Sequence, residues 1–203
     1  IRSKALNYLG GAYEKNLNEY LEFFISLAEQ SWLNEYIYNQ SSDETEKVNS
    51  LRAKIESSER VNENEVAILG SYVPLNSSKI IEEKLLNYKS SNILFDDLIN
   101  VQIKEPIKEK KLIKSIKSLS KIENEVSKKV RLQYEKNPYP RWRYTYKILP
   151  DNFVSWLNQE IKPNHIELNY KLNNFDILVA GCGTGSHILS TSRYKNSKIV
   201  GVD

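Results

Sequence analysis

Three glycines at alternate positions, Gly181, Gly183 and Gly185, with Cys182 and Thr184 between them, bear most directly on chemistry in this chain. Glycine reaches positive φ and lacks a Cβ, so such a run lets a ligand lie against the main chain. A helix opening after the loop adds exposed N–H donors. Asp203 stands about 20 residues on, where an acid at the end of a second strand grips ribose hydroxyls in Rossmann-like folds. The spacing also discriminates between ligands. Dinucleotide folds favour G-x-G-x-x-G or G-x-G-x-x-A. Counted from Gly181 the last position is Ser186, and counted from Gly183 it is Ile188. No Gly-Lys-Ser/Thr follows the glycines, which excludes a P-loop.

The remaining candidates are weaker. Cys182 reads as a small buried filler of the loop rather than a reactive thiol. His187, in the first turn of the following helix, suits a ligand carboxylate or a solvated packing role. His165, in a polar loop near Pro163, reads as a surface residue. Tyr139, Arg141 and Trp142 lie in Asn137-Pro-Tyr-Pro-Arg-Trp142. There the arginine suits a charge-assisted bond to a carboxylate, and the aromatics suit the wall of a pocket. The competing reading makes this segment a staple between a helical part and an α/β part. No catalytic acid, base or nucleophile stands out, and no set of metal ligands does.

The glycines need elements to hold them. Phe175–Ala180 is a short apolar run of strand formers, Ser186 to about Arg193 is helical, and Lys198–Val202 is a second strand. That order is the unit of a parallel sheet. Ahead of it, Asp151 caps a short helix carrying Phe153, Val154 and Leu157, which Lys162-Pro-Asn-His165 ends. The first 132 residues read differently. Leu17, Tyr20, Leu21, Phe24, Leu27, Ala28 and Trp32 keep the spacing of an amphipathic helix. Ser-Ser-Asp-Glu at 41–44 starts a helix with Val48, Leu51 and Ile55 on its apolar stripe. Glu65–Gly70 is a short helical piece ended by Tyr72-Val-Pro-Leu75. Ser77 or Ser78 caps the next helix, through Ile81 and Leu85, and Ile93, Leu94 and Leu98 follow. Glu105-Pro106 should stop that run. Ile107, Leu112, Ile113, Ile116 and Leu119 then keep near-helical spacing among lysines, which reads as the wet face of a helix. Ile122, Val126 and Val130 make one more.

The expected architecture is therefore α followed by α/β. A helical domain spans 1–132, a proline and aromatic linker spans 133–150, and 151–203 form the first βαβ part of a Rossmann-like domain. Composition agrees with a globular chain. Of 203 residues, 40% are apolar and 27% charged, and the net charge of +3 gives no nucleic-acid signal. One cysteine forms no internal disulfide, and no run of about 18 apolar residues or leader pattern appears. A cytoplasmic location is the default expectation, with no membrane span. The chain has no methionine, and Val200-Gly-Val-Asp203 reads as the middle of a βαβ unit, so it is expected to be an internal fragment of a longer protein.

The glycine segment Ile177-Leu-Val-Ala-Gly-Cys-Gly-Thr-Gly-Ser-His187 resembles the first motif of class I methyltransferases dependent on S-adenosylmethionine (SAM). With Gln133-Tyr-Glu-Lys-Asn-Pro-Tyr-Pro-Arg-Trp142 upstream, it is similar to one group of that superfamily, in which a helical region precedes the methyltransferase domain, often with tetratricopeptide repeats. Asn34-Glu-Tyr-Ile-Tyr38, Tyr72-Val-Pro-Leu75 and Glu105-Pro106 resemble parts of that helical region. The resemblance implies SAM as cofactor, with Gly181, Gly183 and Gly185 lining its methionine and ribose parts. Cys182 and Thr184 would give backbone contacts, and Asp203 would accept from the ribose hydroxyls. The chain departs from the pattern at Val179, where many members carry an acid two residues before the first glycine; Asp176 lies too early to replace it. The implied activity is methyl transfer to an acceptor that the residues do not identify. Two other readings stand beside it. One is an interaction module with a degenerate cofactor fold and a protein partner on the helical domain. The other is a nicotinamide-dependent oxidoreductase, which the glycine spacing opposes.

Overall fold

A computed structural model describes residues 2–8, 19–119, 121–138, 140–145, 147–165, 167 and 175–203. They are mostly helical, with one two-stranded parallel sheet. Contacts divide the chain into two compact units, Ile1–Lys128 and Lys129–Asp203.

The first unit is built around a short helix. The helices in order are α1 (Arg2–Tyr8), α2 (Leu21–Leu33), α3 (Ser42–Ser57), α4 (Glu63–Gly70), α5 (Lys79–Leu86), α6 (Ile93–Ile99) and α7 (Glu105–Ile113). In α4 every residue from Asn64 to Gly70 is buried, and α2 and α3 both pack on it. Gly70 faces α2, where a Cβ would stand in van der Waals contact with Ala28 Cβ at 3.4 Å. Around α4 gather Phe24, Ile25 and Ala28 of α2, the Val48, Leu51 and Ile55 stripe of α3, Ile81 and Leu85 of α5, and Phe95, Leu98 and Ile99 of α6. Burial of these stripes, more than helix propensity, stabilises helices this short. Caps fix the starts. Ser41 Oγ accepts from Glu44 N–H while the Glu44 carboxylate accepts from Ser41 N–H, a complete capping box. Ser78, rather than Ser77, caps α5 by accepting from Ile81 N–H. Residues 17 and 18 of the first expected helix lie outside the described residues.

Two expectations fail here. Glu105-Pro106 does not stop the helix of Ile93–Ile99. The chain makes a π-turn over Asn100–Lys104, with Glu105 N–H donating to Asn100 C=O, and continues straight into α7. The wider turn relieves the clash between a proline ring and the carbonyl four residues back, and Pro106 stands in the first turn of α7, where its missing N–H costs little. The lysine-rich segment is helical only to Ile113. Ile107 still packs on the core, but Leu112, Ile113, Ile116 and Leu119 are exposed, Leu119 at 81%. Without an apolar partner, and with lysines crowded along it, the helix does not propagate. A further helix, α8 (Glu125–Lys136), begins where the Asn124 side chain accepts from Val126 N–H and Ser127 N–H. It runs past the expected boundary at 132, so helix precedes the proline and aromatic segment as far as Lys136.

In the second unit, residues 140–145 form neither helix nor strand. Helix α9 (Phe153–Glu160) is capped by Asn152, not Asp151. Asn152 Oδ1 accepts from Val154 N–H and Ser155 N–H, while Asp151 Oδ1 takes the N–H of Asn152. Two to three residues separate a cap side chain from the N–H groups it accepts, so Asn152 is the one in reach. Strand β1 (Phe175–Ala180) pairs in parallel with β2 (Ser197–Val202), with Ile177 opposite Ile199 and Val179 opposite Gly201. Helix α10 (Ser186–Thr191) links them and is shorter than the expected run to Arg193. One sheet face carries Phe175, Ile177 and Val179, and the other carries Leu178 and Val200, 68% and 46% exposed. Phe153 and Trp156 of α9 meet Phe175 and Tyr194 in one aromatic cluster, with ring centroids 5.0 to 5.9 Å apart. Asp151 N–H donates to Arg193 C=O beside it. Among the described residues, no helix is long and apolar enough to cross a membrane.

Candidate functional site

The site grows from the end of β1. Gly181 N–H and Cys182 N–H both donate to Val202 C=O, at 2.7 and 3.1 Å, so the sheet ladder runs into the loop. The backbone then turns sharply, with φ of +69° at Gly181, +48° at Gly183 and +96° at Gly185. Gly185 N–H closes the turn on Cys182 C=O at 2.9 Å, and Gly185 C=O accepts from Leu189 N–H to start α10. A side chain at any of the three glycines would strain the backbone, yet a Cβ built there meets nothing within 4 Å. The loop is thus open on the side to which its Cβ positions point.

Asp203 completes this arrangement. Its Oδ1 accepts the N–H of Gly183 at 3.0 Å, joining the end of β2 to the middle of the glycine loop. The carboxylate is exposed, and this bond uses one of its roughly four acceptor sites. Thr184 is engaged from a different direction. Its Oγ1 accepts the indole N–H of Trp142 at 3.0 Å, which brings the proline and aromatic segment to the loop. Cys182 is half-buried, with its Sγ 3.1 Å from where a Cβ of Gly201 would stand.

The structure therefore brings Gly181, Cys182, Gly183, Thr184, Gly185 and Asp203 together, and adds Trp142 to them. His187 is exposed in the first turn of α10, Arg141 is half-buried, and His165 is exposed. Tyr139 lies outside the described residues. Val179, two residues before the first glycine, is 8% exposed on the sheet face that carries α10. Sequence reasoning missed Gly201, where a side chain would collide with Ile188 Cδ1. Its signal was a lone glycine inside the β-branched run Lys198-Ile-Val-Gly-Val202, which marks a close approach. Among the described residues, no group of three or more His, Cys, Asp or Glu is placed to hold a metal ion. Compared with protein-family models, with curated proteins and with solved structures, the chain matches none.

Proposed function

We propose that the chain carries the cofactor-binding part of a SAM-dependent methyltransferase that acts on a nucleophilic acceptor. The observation that carries this reading is the bond from Gly183 N–H to Asp203 Oδ1. It holds a backbone cradle and an acceptor for vicinal hydroxyls side by side, as a ligand joining a nucleoside to an amino acid requires.

The residues present fit that ligand. The three glycines leave their Cβ side open, so the linked chain of the ligand can lie against the main chain. Ribose hydroxyls donate to the acceptor sites of Asp203 that Gly183 leaves over. Cys182 and Thr184 add backbone contacts, and Arg141 and His187 are donors for the ligand carboxylate. When bound, SAM supplies an electrophilic methyl group on its sulfonium sulfur. The part of the protein is to bind and align, holding donor and acceptor in line. The glycine spacing, which lacks the third glycine or alanine of a dinucleotide loop, favours this ligand over NAD.

Calorimetric titration of SAM into the protein tests the proposal. Saturable binding is expected, and Asp203→Ala should weaken it by about tenfold or more, the loss of one or two hydrogen bonds to a charged group. No binding at millimolar SAM overturns the reading. Tighter binding of NAD than of SAM would assign the loop to hydride chemistry instead.

A further inference from the structure

We propose that Trp142 is a positioning residue of the glycine loop: its indole latches the segment 140–145 onto Thr184 and sets that hydroxyl to donate toward the ligand. The identity of the ligand rests on the reading above; the latch itself does not.

The segment has no ladder of its own to hold it, since 140–145 form neither helix nor strand. Trp142 is also less deeply buried than a core tryptophan. It is 43% exposed, against 8% for Trp32 in the helical core. What orients the indole N–H is its hydrogen bond to Thr184, across 42 residues of sequence. Pro138 and Pro140 restrict the backbone just ahead of it, which lowers the entropy lost in holding the ring there.

The polarity of the bond has a chemical consequence. An indole N–H only donates, so Thr184 Oγ1 must accept. A threonine hydroxyl has one proton and two acceptor pairs. With the indole on an acceptor pair, the proton of Thr184 turns away from Trp142 and is offered elsewhere. Gly183, next to it, holds the carboxylate of Asp203. The site thus presents the Thr184 hydroxyl as a donor and the Asp203 carboxylate, held by neighbouring Gly183, as an acceptor, matched to a ligand with an oxygen acceptor beside hydroxyl donors.

Two measurements on the intact chain test this. The first is solvent exchange by NMR of the Trp142 indole proton and of the Gly183 and Gly185 amides, without ligand. Thr184→Val should speed exchange of the indole proton by about threefold to tenfold, the range for one neutral hydrogen bond, and Thr184→Ser should leave it unchanged. Trp142→Phe should speed the two glycine amides, and Thr184→Val added to it should do nothing further. The second is SAM titration, in which Trp142→Phe and Thr184→Val each weaken binding by a similar factor and Thr184→Ser restores it. Indole exchange indifferent to Thr184→Val, or additive effects of the two substitutions, overturns the latch. A latch that responds as expected while SAM affinity stays constant in both variants overturns the donor role of Thr184. A latch that responds as expected in a protein that binds no SAM supports the latch and overturns the methyltransferase reading alone.

Discussion

Gly201 lies opposite Val179 in the parallel pair, and the space its side chain would take is filled by Ile188 of α10 and by Cys182. The glycine thereby leaves room against the sheet for the end of Ile188 and for Cys182. Gly201→Ala should destabilise the protein by about 1 kcal/mol, the low end for overpacking because the end of Ile188 can rotate aside while Cys182 stays close, read as a lower urea midpoint. Cys182→Ala, which removes one of the two obstructing side chains, should recover part of that loss. Purely additive effects of the two substitutions would show that they do not share one space.

Gly183 and Gly185 call for glycine for a different reason. Nothing crowds a Cβ at either position, so the cost of a substitution there is one of backbone conformation. Gly183, at φ +48°, lies in the ordinary left-handed region, which asparagine tolerates; Gly185, at +96°, lies beyond it. Gly183→Asn should therefore cost less than Gly183→Val, and Gly185→Ala should cost more than Gly183→Ala, each on the order of 1–2 kcal/mol. Denaturation midpoints of the four variants give the order directly.

The parts of the fold that sequence made visible are those whose causes are local. The strand at Phe175–Ala180, the Ser41 and Glu44 box, and the Val48, Leu51 and Ile55 stripe each depend on residues within a turn or two of one another. The rest depended on partners far along the chain. Pro106 is a helix breaker until a π-turn precedes it, and nothing in Glu105-Pro106 announces one. Leu112, Ile113, Ile116 and Leu119 have helical spacing, but spacing does not supply a surface to bury them. In the site, the glycines and Asp203 were legible as a pattern. The bond of Trp142 to Thr184 joins two segments whose proximity only the tertiary structure settles.

Gln102 shows what the π-turn achieves. Its side chain is fully buried, its Oε1 accepts from Leu75 N–H at 3.1 Å, and its Nε2 donates to Ala28 C=O and Gly70 C=O, both at 3.2 Å. One amide thus serves α2, the end of α4 and the turn after it. Gln102→Leu would leave the buried N–H of Leu75 unanswered, while Gly70 C=O keeps the Tyr36 hydroxyl and Ala28 C=O its place in the ladder of α2, so a loss of about 1–3 kcal/mol is expected. Gln102→Glu should be worse at neutral pH than in acid, because a carboxylate would face two carbonyl oxygens and only its protonated form donates. Equilibrium denaturation at two pH values separates the variants.

The capping box makes stability depend on acid pH in a defined direction. The backbone N–H of Ser41, then the hydroxyl of Tyr72, hold the Glu44 carboxyl below the usual carboxylate range, with the charge of Arg2 adding a smaller push. A carboxyl lowered in the folded state contributes stability that is complete above its unfolded value, about 4.3, and is lost as pH falls from there through the lower native value. Glu44→Gln keeps an acceptor for Ser41 but carries no charge, so its stability should fall less than that of the wild type between about pH 6 and pH 3. Tyr72→Phe removes the second of the two bonds and should move the titration of Glu44 part of the way back, leaving the larger contribution of Ser41 in place. Carboxyl titration by NMR reads the Tyr72→Phe effect, and urea midpoints across the same range read the other. A Glu44→Gln variant whose stability falls with acid as steeply as the wild type would show that the acid sensitivity lies in other carboxylates.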